Sequence, residues 1–378
     1  MSKRRASGEG SIFRRKDGRW AGSIELGESA EGRRVRKTVY ARTQAEAARK
    51  LSDLRRQLGL GVDLAHRSTL RAYVDRWLET KMQQVKPRTM ELYRSYADMA
   101  CQHLGNTELH RITPLGVQVA LEAIRSRSGA STANKVRRLL FGALKQAVRW
   151  RLLASNPVDA VDQFKETPRP VTLWTVSEAK LFLDVARTNR LYALFYLMLS
   201  TGLRQGEVLA LRWSDVRVDH FVVSRTVTRV GGRVQFSTPK TSRGERIVAL
   251  SDDVLAVLRV HKQRQDSERH EVGTFFNETD LVFCNQLGDV ITPMALHHVW
   301  RRLQARAGVP RVRLHDLRHL HVSLLVRRGL DPRTIADRIG HADASFTLRR
   351  YSHMFAAQRG DGAVRLTELL EYVRTPAN

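Results

Sequence analysis

The sequence predicts a mainly α chain with small β-sheets, an α+β organisation in several domains, on three observations. Short period-two runs flank Asp17-Gly18 near the start, helical periodicity fills the middle, and a strand-rich insert around Gly231-Gly232 interrupts the helices of the second half. With 378 residues there is material for two or three domains, each with its own core.

Composition narrows the partners. Lys and Arg number 65 against 38 Asp and Glu, a formal net charge of +27 that exceeds what solubility requires and points to a polyanion. A ribosomal or histone-like basic protein is the alternative, but 42% hydrophobic residues is more core material than basic tails carry. Cys101 and Cys284 stand far apart with no CxxC, so neither a disulfide framework nor a cysteine zinc site is expected, and a reducing cytoplasm fits. The basic start MSKRRASGEG has no apolar segment behind it, and no run of about eighteen apolar residues occurs, so a soluble cytoplasmic chain without membrane contact is expected.

Residues 1–62 read as a basic domain, with sixteen Lys and Arg against seven Asp and Glu in the first sixty positions. Ser11 to Arg14, Arg19 to Leu26 and Arg34 to Ala41 predict three strands, the first two joined by a favoured Asp17-Gly18 turn. Thr43 to Glu46 has the pattern of a capping box, opening a helix whose Ala45, Ala48, Leu51, Leu54 and Leu58 would cover one sheet face. The opposite face would then offer Arg14, Arg19, Trp20, Arg34, Arg36 and Lys37, a ribbon suited to a DNA major groove; a solvated basic sheet is the alternative.

Residues 67–163 predict four helices: Leu70 to Met82, Thr89 to His103, Pro114 through Ile124, and Thr132 to Trp150. The last has Val136, Leu139, Leu140, Leu144 and Val148 on one stripe, with Lys135, Arg137, Arg138, Lys145 and Arg149 dispersed around it. Lys135 and Arg138 are candidates for DNA contact, a solvated helix face being the alternative. KETPRP, from Lys165 to Pro170, reads as a semi-rigid linker before a third domain over 171–378.

In that domain Ser177 is the expected N-cap of a first helix, and the nearly continuous apolar run from Leu191 to Ser200 predicts a buried one ended by Gly202. Arg204 emerges directly afterwards, held as rigidly as a phosphate ligand must be, with Glu207 three residues on to orient it; a purely structural ion pair is the alternative. His220 to Val230 and Arg233 to Ser237 flank Gly231-Gly232, and Glu245 to Leu250 supplies a further strand, with Lys240 in the intervening loop. Helices resume from Val254 to Arg264 and from Thr292 to Ala307.

The chemistry concentrates between His315 and Tyr351, HDLRHLHVSLLVRRGLDPRTIADRIGHADASFTLRRY. His315 and Arg318, three apart, share a helix face. Asp331-Pro332 predicts an N-cap and first helical position, and Gly340 the stop, which leaves His341 just past a helix end. A helix starting at Asp343 or Ser345 would carry Tyr351, with Arg349 and Arg350 before it. Several cations and one phenol able to converge on one anion suit phosphate chemistry. A metal site is not expected: no HExxH or carboxylate cluster accompanies His315, His319, His321, His341 and His353, and the surroundings are cationic. His297, His298, His319 and His321 read as packing or surface residues.

The blocks HDLRH, IGH and RRYSH, with STGLRQGEVLALRWSDV and STPKTSRGERIVAL upstream, resemble in order and spacing the catalytic half of the tyrosine recombinase family, the phage-type integrases. The resemblance implies a catalytic set of Arg204, Lys240, His315, Arg318, His341 and Tyr351 supported by Glu207, with Arg243 and Arg246 as alternative cations should Lys240 not serve. It also identifies residues 1–62 as similar to an arm-type DNA-binding domain and 67–163 to a core-binding domain. Leu320 replaces a frequent threonine, and Ile339 the leucine of LGH; neither removes a reactive group. The implied reaction is attack by Tyr351 on a DNA phosphodiester, giving a 3′-phosphotyrosine and a free 5′ hydroxyl without cofactor or ATP. The implied assembly is a homo-tetramer on attachment-site DNA, with a possible accessory directionality or DNA-bending protein. A type IB topoisomerase and a non-cutting DNA-binding regulator are the competing functions; the extra N-terminal basic domain weighs against the first, and the intact Arg, Lys, His and Tyr set against the second. The apolar stripe of Leu366, Leu369, Leu370 and Val373 predicts a tail helix that docks either on its own domain or on a neighbouring protomer.

Overall fold

The computed structural model describes residues 10–28, 34–59, 68–167, 172–238 and 244–340. The chain divides into two compact units, Met1–Pro168 and Arg169–Asn378, with the break inside KETPRP.

The first unit begins with strands β1 (Ser11–Arg14), β2 (Trp20–Glu28) and β3 (Arg34–Ala41), antiparallel in the order β1-β2-β3. Asp17 shapes the first turn by accepting from the Arg19 backbone N–H at 3.1 Å and from its guanidinium at 2.8 Å, and Gly18 adopts φ +80°. Helix α1 (Gln44–Gly59) follows. Thr43 Oγ1 accepts from the Glu46 N–H, but Glu46 reaches back to the N–H of Arg42, one residue short of the reciprocal bond of a capping box. The helix buries Ala47, Leu51 and Leu54 against Ile24, flanked by Leu58, Ile12 and Val39. Ala45 and Ala48, expected on that face, are exposed; the 47, 51, 54, 58 spacing keeps a single stripe where the expected set does not.

Among the described residues, four α-helices follow in this unit: α2 (Leu70–Lys81), α3 (Pro87–Leu104), α4 (Pro114–Ser128) and α5 (Ala130–Arg149). Thr69 and Thr113 cap α2 and α4 by accepting from the N–H groups of Ala72 and Gly116, and proline opens α3 and α4. α5 buries Ala133, Val136, Leu140, Ala143, Leu144 and Ala147, and Tyr73 of α2 donates to the Ala143 carbonyl at 2.6 Å, so the buried phenol is satisfied.

The second unit contains helices α6 (Val176–Ala186), α7 (Tyr192–Thr201), α8 (Gln205–Val208), α9 (Asp252–Val272), α10 (Pro293–Ala307), α11 (Asp316–Arg327) and α12 (Pro332–Ile339). Trp174, Phe182, Phe195 and Trp300 form an aromatic centre with ring centroids 4.7 to 5.5 Å apart. α7 is apolar all round and therefore buried, and it packs against α9 and α11. The N-cap of α6 is Thr175, not Ser177, because only Thr175 has a glutamate three residues on: Thr175 and Glu178 exchange both capping-box bonds.

The expected strand from His220 to Val230 is two strands, β4 (His220–Val223) and β5 (Thr226–Val230). Arg225 turns in to pair with Asp215 at 3.1 Å and separates them. β5 pairs with β6 (Arg233–Ser237) across Gly231-Gly232, while β4 pairs with β7 (Arg246–Ala249) in a different sheet. α9 runs past the expected Arg264 because its later contacts are polar: Gln265 accepts from the Trp213 indole at 2.6 Å, and Glu268 holds Arg190.

Candidate active site

The buried helix α7 ends at Gly202, whose left-handed φ of +68° reverses the chain and leaves Arg204 as the N-cap of α8. Glu207, one turn into α8, reaches back: Oε2 accepts from the Arg204 backbone N–H at 2.9 Å and Oε1 from its Nη1 at 2.7 Å. One carboxylate thus caps the helix and fixes the guanidinium. Arg246 on β7 donates to the same carboxylate through Nη2 at 2.9 Å. Burial alone would raise the Glu207 pKa, but the hydrogen bond and charge of Arg246, with the charge of Arg204, hold it below the ordinary carboxylate value.

Arg318 stands one turn into α11 and is buried; it donates to the Gly202 carbonyl at 2.8 Å and to the Ile339 carbonyl at 2.5 Å. The neighbouring acceptors are taken by the other two arginines, Gly340 O by Arg204 Nη2 at 3.1 Å and Arg338 O by Arg246 Nε at 3.0 Å. Three consecutive carbonyls at the end of α12 therefore hold three arginines. Such carbonyls have no partner within the helix and carry the negative end of its dipole, which suits them to guanidinium groups. Of the two arginines on Glu207, Arg204 keeps 39% of its side chain exposed and Arg246 6%, so Arg204 is the more open to a ligand.

His315 is the N-cap of α11, with an exposed edge and its ring edge-to-face on His319 at 5.4 Å. Partial removal from water, with Arg318, Arg204 and Arg313 nearby and only Asp316 opposing, holds its pKa below the ordinary imidazole value. The neutral form of His315 is thereby favoured, within the field of both arginines. His321, on the buried side of α11, lies under the Gly202 turn: a Cβ at Gly202 would come within 2.8 Å of its ring. Burial first, then the charges of Arg338 and Arg318, push His321 down to about 4, against a hydrogen bond at Leu199.

The structure therefore brings Arg204, Glu207, His315 and Arg318 together. Lys240, His341 and Tyr351 lie outside the described residues, as do Arg243, Arg349, Arg350 and the tail stripe of Leu366, Leu369, Leu370 and Val373. Arg246 was expected only as an alternative cation; the strand period gives its inward parity, shared with buried Val248, but not its engagement with Glu207. Among the described residues no group of three or more His, Cys, Asp or Glu is placed to hold a metal ion, and no helix is long and apolar enough to cross a membrane.

The basic strand face needs correction. Register pairs Arg14 with Trp20, Trp20 with Ala41 and Lys37 with Ile24, on the side where Gly22 and Ile24 meet α1. Arg14, Trp20 and Lys37 therefore share parity with the core, because neighbouring strand residues face opposite ways. The open face carries Phe13, Ala21 and Tyr40 in one row, Ser11, Ser23 and Thr38 in the next, then Glu25 and Arg36. Arg15 and Arg19 lie over the Tyr40 ring, 4.9 and 5.8 Å from its centroid. Arg34 pairs with Glu28 beyond a register shift, and its side chain lies outside the description. Lys135 and Arg138 are exposed on α5, and both lie near Glu166.

Comparison with known proteins agrees with this geometry. A model described as the phage integrase family matches residues 174–358, and one described as a phage integrase N-terminal SAM-like domain matches residues 69–123, together more than half of the chain. A tyrosine recombinase XerC-like protein of Caldanaerobacter subterraneus subsp. tengcongensis is 27% identical over 376 residues, covering 92% of this chain and 95% of its own. The ICEBs1 integrase of Bacillus subtilis is 30% identical over 249 residues, 63% of this chain and 66% of its own. In fold, the Tn1549 transposon integrase in complex with transposon right end DNA is similar with TM-score 0.68 at 20% identity, over 79% of this chain and 100% of that one. A lambda integrase tetramer bound to a Holliday junction gives 0.58 at 17% identity, over 88% and 96%. The chain belongs to the phage integrase family and is a tyrosine site-specific recombinase, an enzyme that breaks and rejoins DNA.

Proposed function

We propose that Tyr351 attacks the scissile phosphate of an attachment-site duplex while Arg204 and Arg318 stabilise the charge that develops on its non-bridging oxygens. A phenol with an ordinary pKa of about 10 needs help to react at neutral pH, and His315, neutral beside two arginines, accepts its proton. Lys240 protonates the departing 5′ oxygen, and His341 donates to a non-bridging oxygen. The 3′-phosphotyrosine conserves the bond energy, so a second strand's 5′ hydroxyl can attack it and restore the backbone.

The observation that supports this assignment most is the three-arginine grip on the end of α12, because it fixes Arg204 against Gly340 and Arg318 against Ile339, the two residues that precede His341 in sequence. Arg204 is held before any substrate arrives, which electrostatic catalysis requires. Residues 1–62 serve as an arm-binding domain through the open face of Arg15, Arg19, Arg36 and Tyr40, and 67–163 as a core-binding domain in which Lys135 and Arg138 meet DNA phosphates. The working assembly is a homo-tetramer in the cytoplasm, where the DNA lies, and an accessory DNA-bending or directionality protein sets the direction of exchange. The solved lambda integrase tetramer on a Holliday junction supports the tetramer by analogy.

The test is strand exchange between two labelled duplexes carrying the element's two attachment sites. Recombinant products containing one arm from each duplex are expected. Relaxation of supercoiled plasmid with no joint product would favour topoisomerase action instead.

A further inference from the structure

Arg246 has no role in the reaction as assigned above, yet each of its guanidinium nitrogens is engaged. Nε donates to Arg338 O at 3.0 Å, Nη1 to Glu207 Oε1 at 3.3 Å and Gly244 O at 3.4 Å, and Nη2 to Glu207 Oε2 at 2.9 Å. Only 6% of its side chain is exposed, and its donors are spent on protein acceptors. It also lies flat on Gly340: a Cβ there would sit 3.0 Å from Nη1 and 3.1 Å from Cδ. Glycine at that position therefore meets two demands, a φ of +67° and the close approach of this guanidinium.

One side chain thereby touches three pieces of chain. It stands at the start of β7, the strand that follows the Lys240 loop in sequence; it holds the carboxylate that orients Arg204; and it holds the end of α12 that leads to His341. We infer that Arg246 is a positioning residue for strand cleavage, acting through Glu207 on Arg204 and through the α12 carbonyls on the approach to His341. The inference rests on the recombinase reading of this site.

Lysine cannot replace it fully. An ammonium is a single point donor and cannot span both Glu207 oxygens and the Arg338 carbonyl, whereas the planar fork does. A displacement of about 1 Å in a reacting constellation costs roughly 10²-fold in rate. Loss of Arg246 should accordingly slow cleavage and spare DNA binding.

The experiment uses the full chain on nicked attachment-site DNA, measuring DNA affinity and the single-turnover rate of covalent adduct formation at saturating protein. Arg246→Ala is expected to lower the rate roughly 10²-fold and Arg246→Lys about tenfold, with affinity unchanged. Combined with Glu207→Gln, Arg246→Lys should cost little beyond the worse single variant, because both act on one linkage. Should Arg246→Ala fail to fold, Arg246→Lys carries the comparison. A folded Arg246→Lys with the wild-type rate, full additivity with Glu207→Gln, or a loss of affinity matching the loss of rate would each overturn the inference. Wild-type protein that binds this DNA and forms no adduct would instead overturn the underlying cleavage reading, and the inference with it.

Discussion

Replacing Glu207 by alanine leaves two guanidinium groups facing one another without their counter-ion. The Glu207 carboxylate is 5% exposed and bonded to Arg204 at 2.7 Å and Arg246 at 2.9 Å. Removing one partner of a buried ion pair costs about 3–5 kcal/mol. Arg204, 39% exposed, can recover water, so the lower end applies, about 3 kcal/mol, most of it from Arg246. In a unit of this size each kcal/mol moves Tm by about 2–4 °C, so its transition should fall by roughly 6–12 °C. Glu207→Gln keeps the shape and one acceptor and should cost about half as much. The pH dependence follows from the lowered carboxyl. Its stabilisation is fully present above the ordinary value of 4.5 and is lost as pH falls through the lower folded value, so the gap between wild type and Glu207→Gln should close in acid. Calorimetry following the second unit's transition measures both. A Tm drop under about 2 °C for Glu207→Ala at pH 7 would refute a buried carboxylate shared by two arginines.

Three other outcomes are expected. Gly202→Ala places a Cβ 2.8 Å from the His321 ring at φ +68°, so it should destabilise by roughly 1–3 kcal/mol and lower adduct formation, read by urea unfolding and the cleavage assay. His321, depressed from 6.5 to about 4, contributes stability that is present above pH 6.5 and lost as pH falls towards 4. His321→Gln should therefore unfold with a shallower pH dependence than wild type across that window, measured by urea midpoints. In the first unit, Arg19→Ala on the open sheet face should reduce the salt slope of arm-site DNA binding by about one, and Lys37→Ala on the helix side should leave it unchanged, measured by titration at several salt concentrations.

The site was most legible where the chain breaks its own periodicity. Asp331, Pro332 and Gly340 punctuate α12 in the sequence as they do in the fold, because an N-cap acceptor, a fixed φ and a left-handed stop are local demands. Gly202 before Arg204 was readable for the same reason. Side-chain parity in the basic strands was not. Arg36 and Lys37 are consecutive and must face opposite ways, but long charged side chains satisfy either face, so composition alone did not separate them. The length of α9 was hidden because Gln265 is buried and Glu268 half-buried through hydrogen bonds, which leave no apolar stripe. Arg246 was hidden by the same blind spot: an inward arginine reads as a surface cation until its acceptors, distant in sequence, are seen.

Tyr351 is expected to break the DNA backbone by becoming linked to it. Wild-type and Tyr351→Phe proteins, each incubated with a nicked attachment-site duplex that traps the cleaved strand, give the direct measurement. A denaturant-stable protein–DNA adduct in the wild type, absent from the variant at equal DNA occupancy, is the predicted result. An adduct of equal yield in Tyr351→Phe would contradict the claim and place the nucleophile elsewhere.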